Sequence, residues 1–221
     1  GGFSQVSDAP VALRQNGTIA TWGPNAFGQV TNTPVGTGFI QVTGMSVHYN
    51  ALHQDGSIVT WGDDSLGQVS GTPAGTNFTQ VSAGAYSSLA LRSDGSVAAW
   101  GSDTWGIVSG APSGTGFIQV SAGGRHGLAL RSDGMIVAWG DDTHGQVSST
   151  PGGQGFASVN AGETHSAALT AGGSIQSWGD DSNGAVTGTP LGSSYTQVVA
   201  GANFTLALRA DGSLEAWGAN E

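Results

Sequence analysis

The chain has 221 residues, enough for one sizeable core or a ring of small ones, with 39 glycines, no cysteine and a formal net charge of −10. Its five cations are all arginine (Arg14, Arg92, Arg125, Arg131, Arg209) and form no cluster, which argues against nucleic acid and against anionic membrane surfaces. Absence of cysteine excludes disulfides, a thiolate nucleophile and a Cys-based zinc site, and no apolar run approaches the length of a membrane span.

Only 9% of the residues are charged, so Ser, Thr, Asn, Gln and Gly must build most of the surface. That lysine-free, acidic composition reads as an exported bacterial protein, extracellular or at the cell surface. Along the chain, Trp-Gly pairs headed by Trp22, Trp61, Trp100, Trp139, Trp178 and Trp217 recur every 39 residues. Five equal intervals mark an array of one small unit, and residues 1–221 are expected to form a single domain built from it.

The first copy runs from Phe3 through the turn Asn16-Gly17 to Trp22, and is three residues shorter than the next. The loss falls after its first strand, at Asp8-Ala9-Pro10. Copies two to six repeat three strand-like stretches, typified by Phe78–Val81, Ser88–Arg92 and Ser96–Trp100. A tight hairpin joins the second stretch to the third at Asp55-Gly56, Asp94-Gly95, Asp133-Gly134, Gly172-Gly173 and Asp211-Gly212. A short fourth strand is expected at Gly28–Val30, Gly67–Val69 and Gly145–Val147. Pro34, Pro73, Pro112, Pro151 and Pro190 then punctuate the connectors, where proline removes no ladder bond.

Units of this size, with about four antiparallel strands, read as blades of an all-β propeller. The remaining shortfall in length equals one connector, so the expectation is six blades in a ring closed by the two termini; the alternative is a fragment of a longer array. Trp-Gly-x-(Asn/Asp)-x-x-Gly-Gln-Val, Ala-Gly-x-x-His-x-x-Ala-Leu and Asp-Gly together resemble the repeat of the RCC1-like β-propellers over essentially the whole chain. The resemblance implies the fold and, more loosely, a binding role. The family's nuclear member acts in guanine-nucleotide exchange, but no equivalent of its basic chromatin-binding tail is present here.

Three histidines, His48, His126 and His165, share one register, which Ser87 and Phe204 occupy in other copies. The substitutions argue for a structural role rather than a metal ring. Asp63-Asp64, Asp141-Asp142 and Asp180-Asp181 superficially resemble calcium ligands, but every copy has Asn or Asp at the second position, as turn closure requires. The six repeated tryptophans read as core wedges. No nucleophile motif or asymmetric ionisable cluster appears, so no enzyme, cofactor or metal is expected.

The most variable loop precedes the second strand and supplies Tyr86, Arg125, Glu163, Thr164 and Asn203. In secreted RCC1-like propellers that inhibit β-lactamases the corresponding position is aromatic and faces the partner; Tyr86 alone matches. Trp105 stands where other copies have Phe27, Leu66, His144 and Asn183, and is either a contact residue or folded onto its own blade. The expected function is a non-enzymatic scaffold that contacts a protein partner through these residues. A glycan-binding propeller and a self-assembling structural spacer are the rivals.

Overall fold

A computed structural model describes residues 2–7 and 9–219. Among these residues eighteen strands form six antiparallel three-stranded sheets, each in chain order. Blade 1 holds β1 (Phe3–Val6), β2 (Val11–Arg14) and β3 (Ile19–Thr21); blade 2 holds β4 (Phe39–Gly44), β5 (His48–His53) and β6 (Ile58–Gly62). Blade 3 follows with β7 (Phe78–Ala83), β8 (Ser87–Arg92) and β9 (Val97–Gly101), and blade 4 with β10 (Phe117–Ala122), β11 (His126–Arg131) and β12 (Ile136–Gly140). Blade 5 comprises β13 (Phe156–Ala161), β14 (His165–Thr170) and β15 (Ile175–Gly179); blade 6 comprises β16 (Tyr195–Ala200), β17 (Phe204–Arg209) and β18 (Leu214–Gly218).

The expected fourth strand is a turn. Gly28, Gly67 and Gly145 adopt φ of 77°, 80° and 79°. Their carbonyls accept from the amides of Asn32, Gly71 and Ser149, closing the backbone locally instead of offering it to a ladder. The glutamines inside these turns, Gln29, Gln68 and Gln146, are buried. Their main-chain oxygens accept the indole N–H of the next blade's tryptophan: Trp61 to Gln29, Trp100 to Gln68 and Trp178 to Gln146, each at 2.9 Å. A strand would have spent those carbonyls on its neighbour.

Each hydrophobic core lies between two blades rather than within one. Leu52 and Ile58 of blade 2 pack on Phe78, Val81, Ala90 and Trp100 of blade 3, and the same registers recur at every junction from blade 1 to blade 6. The middle strands of blades 2 to 5 are therefore buried on both faces, whereas β17 alternates exposed and buried positions.

The first strand of every blade carries a bulge at its outer end, as between Phe78 and Gln80. A bulge adds a residue and redirects the side chains beyond it. In blades 1 to 4 the redirected residue is Gln, whose amide imitates a peptide group. Gln80 Nε2 donates to Val120 O at 3.2 Å, and Gln80 Oε1 accepts from Val120 N at 2.9 Å. Gln5, Gln41 and Gln119 do the same to Val42, Val81 and Val159. A second stitch runs from Ser7, Thr43, Ser82, Ser121 and Asn160 to the amides of Gly44, Ala83, Ala122, Ala161 and Ala200. The inner strand of each following blade would otherwise be an unpaired edge.

The closure expected at the chain ends involves Gly1, Asn220 and Glu221, which lie outside the described residues.

Candidate functional site

On one face of the array, the turn between the first and second strands lies beside the segment that leaves the third strand. Ser102 N donates to Tyr86 O, Asp141 N to Arg125 O, Asp180 N to Thr164 O and Ala219 N to Asn203 O, all within 2.8–3.0 Å. Neighbouring turns are tied across blades by Ala85 N to Gly123 O, Gly124 N to Gly162 O and Glu163 N to Gly201 O. A Cβ on Gly123 would stand 2.4 Å from Gly162 O, so the belt requires glycine there. The result is a set of loop tips held at fixed spacing by backbone bonds.

Three of the residues singled out from sequence meet on this face. The Tyr86 ring lies 6.0 Å from that of Trp105, tilted by 40°, and the Arg125 guanidinium sits 5.3 Å over the Trp105 ring. Tyr86 comes from blade 3, Trp105 from the connector after it and Arg125 from blade 4. Trp105 is half-buried against the core between these two blades, so it is both folded onto the protein and part of an aromatic and cationic stack. Tyr86 remains 40% exposed.

The other three are dispersed. Glu163 is exposed on the next tip, with its Cγ 2.7 Å from where a Gly124 Cβ would be. Thr164 is half-buried and its hydroxyl donates to Asp180 Oδ2 at 3.2 Å. Asn203 is exposed on blade 6, far round the array. Tyr86 and Glu163 also border an axial cavity of about 660 Å³, whose polar wall includes Gln41, Thr43, Ser82, Ser121 and Asn160.

The histidines have a structural role. His48, His126 and His165 are buried, and their Nε2 atoms pair with Ser88 Oγ at 2.8 Å, Ser166 Oγ at 2.7 Å and Thr205 Oγ1 at 2.9 Å, each in the following blade. Burial pushes His48 and His126 down to about 4 and lowers His165 as well; nearby Asp63 and Asp180 oppose the shift at His48 and His165. The second aspartates close turns, as the sequence implies. Asp64, Asp103, Asp142 and Asp181 each accept two backbone N–H groups five and six residues on, which hold their carboxyls below the usual range.

Two features were not legible as functional. The glycine belt at 123, 162 and 201 was visible only as the recurring Ala-Gly pair. Trp22 departs from the other repeated tryptophans: Trp61, Trp100, Trp139 and Trp178 are 3–7% exposed and Trp217 is half-buried, but Trp22 is 49% exposed. Its counterparts pack against the preceding blade, and among the described residues no such contact covers Trp22.

No curated protein sequence matches the chain. Among solved structures, the ectodomain of the receptor kinase CR4 from Physcomitrella patens is similar over 94% of this chain and 60% of that one, with 24% identity and a TM-score of 0.82. The chain thus spans less than two thirds of that ectodomain. The ectodomain of ACR4 from Arabidopsis thaliana is similar over 96% of this chain and 78% of its own, with 21% identity and a TM-score of 0.75. Prp20p from Saccharomyces cerevisiae gives 94% and 69%, with 18% identity and a TM-score of 0.77. At such identities the likeness speaks to fold. The family described as regulator of chromosome condensation (RCC1) repeat matches residues 78–106, 117–146, 156–185 and 195–221, more than half of the chain. With its bulged, cross-stitched blades and that match, the chain belongs to the RCC1 repeat family.

Proposed function

We propose that the protein is a non-enzymatic scaffold that engages a protein partner through the loop face carrying Tyr86, Trp105 and Arg125. The observation behind this reading is the stack of those three side chains across blades 3 and 4. Tyr, Trp and Arg are the types that dominate protein-interface energetics, because each combines a large contact area with a polar group. Here they are held by a rigid backbone belt, so little ordering entropy is lost on binding. Glu163 is the neighbouring tip that would complete the contact, Asn203 lies one blade further round and would extend it, and Thr164 would add little beyond its support of Asp180. The structurally similar Prp20p is a protein binder, described with Gsp1p and histones and bound to Kap60.

A glycan site is the weaker reading, since the Trp105 ring already carries the Arg125 guanidinium and is half-buried. The test uses a photo-crosslinking side chain at position 86, with position 133 on the hairpin turn of blade 4 as control. A partner captured only at 86 is then titrated against Trp105→Ala and Arg125→Ala. Each variant should weaken binding by about ten- to thirtyfold while leaving the melting temperature within a few degrees. Unchanged affinity in both would sink the reading. Selective retention on a glycan array, lost in Trp105→Ala, would replace it with the lectin.

A further inference from the structure

The two ends of the strands differ in charge. Second strands finish at Arg14, Arg92, Arg131 and Arg209, beside hairpin aspartates at 55, 94, 133 and 211. Arg131 pairs there with Asp133 at 3.2 Å and Arg209 with Glu215, so charge at that end is nearly balanced. At the loop face, the connectors leaving the third strands of blades 2 to 5 carry seven aspartates: Asp103 and the pairs at 63–64, 141–142 and 180–181. Glu163 stands on a neighbouring tip, and among the described residues Arg125 is the one arginine facing these carboxylates. Most of the formal net charge of −10 therefore lies on one face.

The same face bears an apolar arc. Phe27 and Leu66 hold the Trp105 register in the two preceding connectors and are 46% and 48% exposed. With Tyr86 and Trp105 they run from the connector after blade 1 to the connector after blade 3, where Arg125 ends the row. Beyond it the register turns polar, at His144 and Asn183. Leu66 and Trp105 each lie two residues from a turn aspartate, Asp64 and Asp103, whose carboxylate is fixed by two backbone N–H groups. Apolar and acidic groups thus alternate along the arc. An acidic partner would bring like charge into that field, and a purely apolar one would desolvate the carboxylates without a counter-charge.

We infer that the loop face takes a basic, amphipathic segment of a protein partner. Its apolar side chains lie along Phe27, Leu66, Tyr86 and Trp105, and its lysines or arginines meet the flanking carboxylates. The inference rests on the protein-partner reading above and adds the chemistry of that partner. Opposite charge on the two surfaces speeds encounter and makes the rate fall with salt, while the apolar contacts set how long the complex lasts.

The chain itself supplies matched substitutions that remove charge and keep the turns. Asn25 closes its turn as the aspartates do, accepting from Val30 N at 2.8 Å and Thr31 N at 3.1 Å. Asn16 closes the first hairpin by accepting from Thr18 N at 3.1 Å. Asp64→Asn, Asp103→Asn, Asp142→Asn and Asp181→Asn together therefore strip four charges from the loop face. Asp55→Asn, Asp94→Asn, Asp133→Asn and Asp211→Asn strip four from the opposite end.

The probe is an amphipathic peptide of leucine and lysine, compared with a leucine–glutamate peptide of the same pattern and a serine–lysine peptide of the same charge. Its association rate, by stopped flow, should fall by about tenfold in the loop-face variant and lose most of its salt dependence between about 50 and 300 mM NaCl. The opposite-end variant should slow it by less than about twofold. Leu66→Ser with Tyr86→Ala should instead speed dissociation by about tenfold or more, and the leucine–glutamate peptide should not bind. Equal slowing in both charge variants, or serine–lysine binding as tight as leucine–lysine, overturns the inference. So does a partner captured at position 86 whose association ignores both salt and the loop-face variant. That last result leaves the protein-partner reading standing, since only unchanged affinity in Trp105→Ala and Arg125→Ala removes it.

Discussion

At the scale of single residues, the histidines tie stability to pH. His48 and His126 are buried with one nitrogen bonded to a serine of the next blade and Nδ1 without a partner. Burial lowers both to about 4, against 6.5 for the unfolded chain. A depressed histidine means that the unfolded state binds protons more readily than the folded one between those values. Stability should therefore be flat above about pH 6.5 and fall as the pH drops toward 4, by roughly 1.4 kcal/mol per pH unit for each histidine. Urea melts across that range should show a shallower slope in His48→Ser with His126→Ser, the residue that blade 3 uses at Ser87. An unchanged slope would mean that these histidines do not control it. Below this range the turn-closing aspartates, whose values lie under the ordinary carboxylate range, add their own loss as they protonate.

At the scale of elements, the junction depends on a strand edge being finished by side chains. Blade 5 has Ser158 where blades 1 to 4 have Gln5, Gln41, Gln80 and Gln119, and no side chain reaches the backbone of Val198 among the described residues. Ser158→Gln should supply the missing pair of bonds and raise stability by about 0.5–1.5 kcal/mol. The reciprocal change, Gln119→Ala, strips both partners from the buried Val159 and should cost about 2–3 kcal/mol. Chemical denaturation of both variants checks the pair; a neutral Gln119→Ala would mean that water replaces the stitch at no cost.

Over the whole molecule, stability should vary along the array. Among the described residues, blades 2 to 5 have a packed neighbour on each side, and blades 1 and 6 have one. In a structure whose units contact only their neighbours, the ends open first. Hydrogen exchange should find the amides of β8 and β11 the slowest, with those of β1 and β18 faster by about two orders of magnitude or more. Even protection from blade to blade would instead mean that the sixth junction is packed in solution.

The repeat, its length and its strand stretches were legible in the sequence, because period, turn glycines and β-branched alternation are local properties. So were the turn aspartates, whose partners lie five and six residues away. The loops carrying Tyr86 and Arg125 could be named as a variable face, yet their meeting with Trp105 could not, since it depends on how blade 3 is rotated against blade 4. The Gly-Gln-Val stretch shows the same limit: its composition suits a strand, and it becomes a turn because the next blade's tryptophan needs its carbonyl. Trp22 and Trp100 hold the same register of the repeat, and among the described residues a preceding blade packs on Trp100 and none on Trp22. Local chemistry sets what each blade is; burial belongs to the junction, and a junction takes two blades.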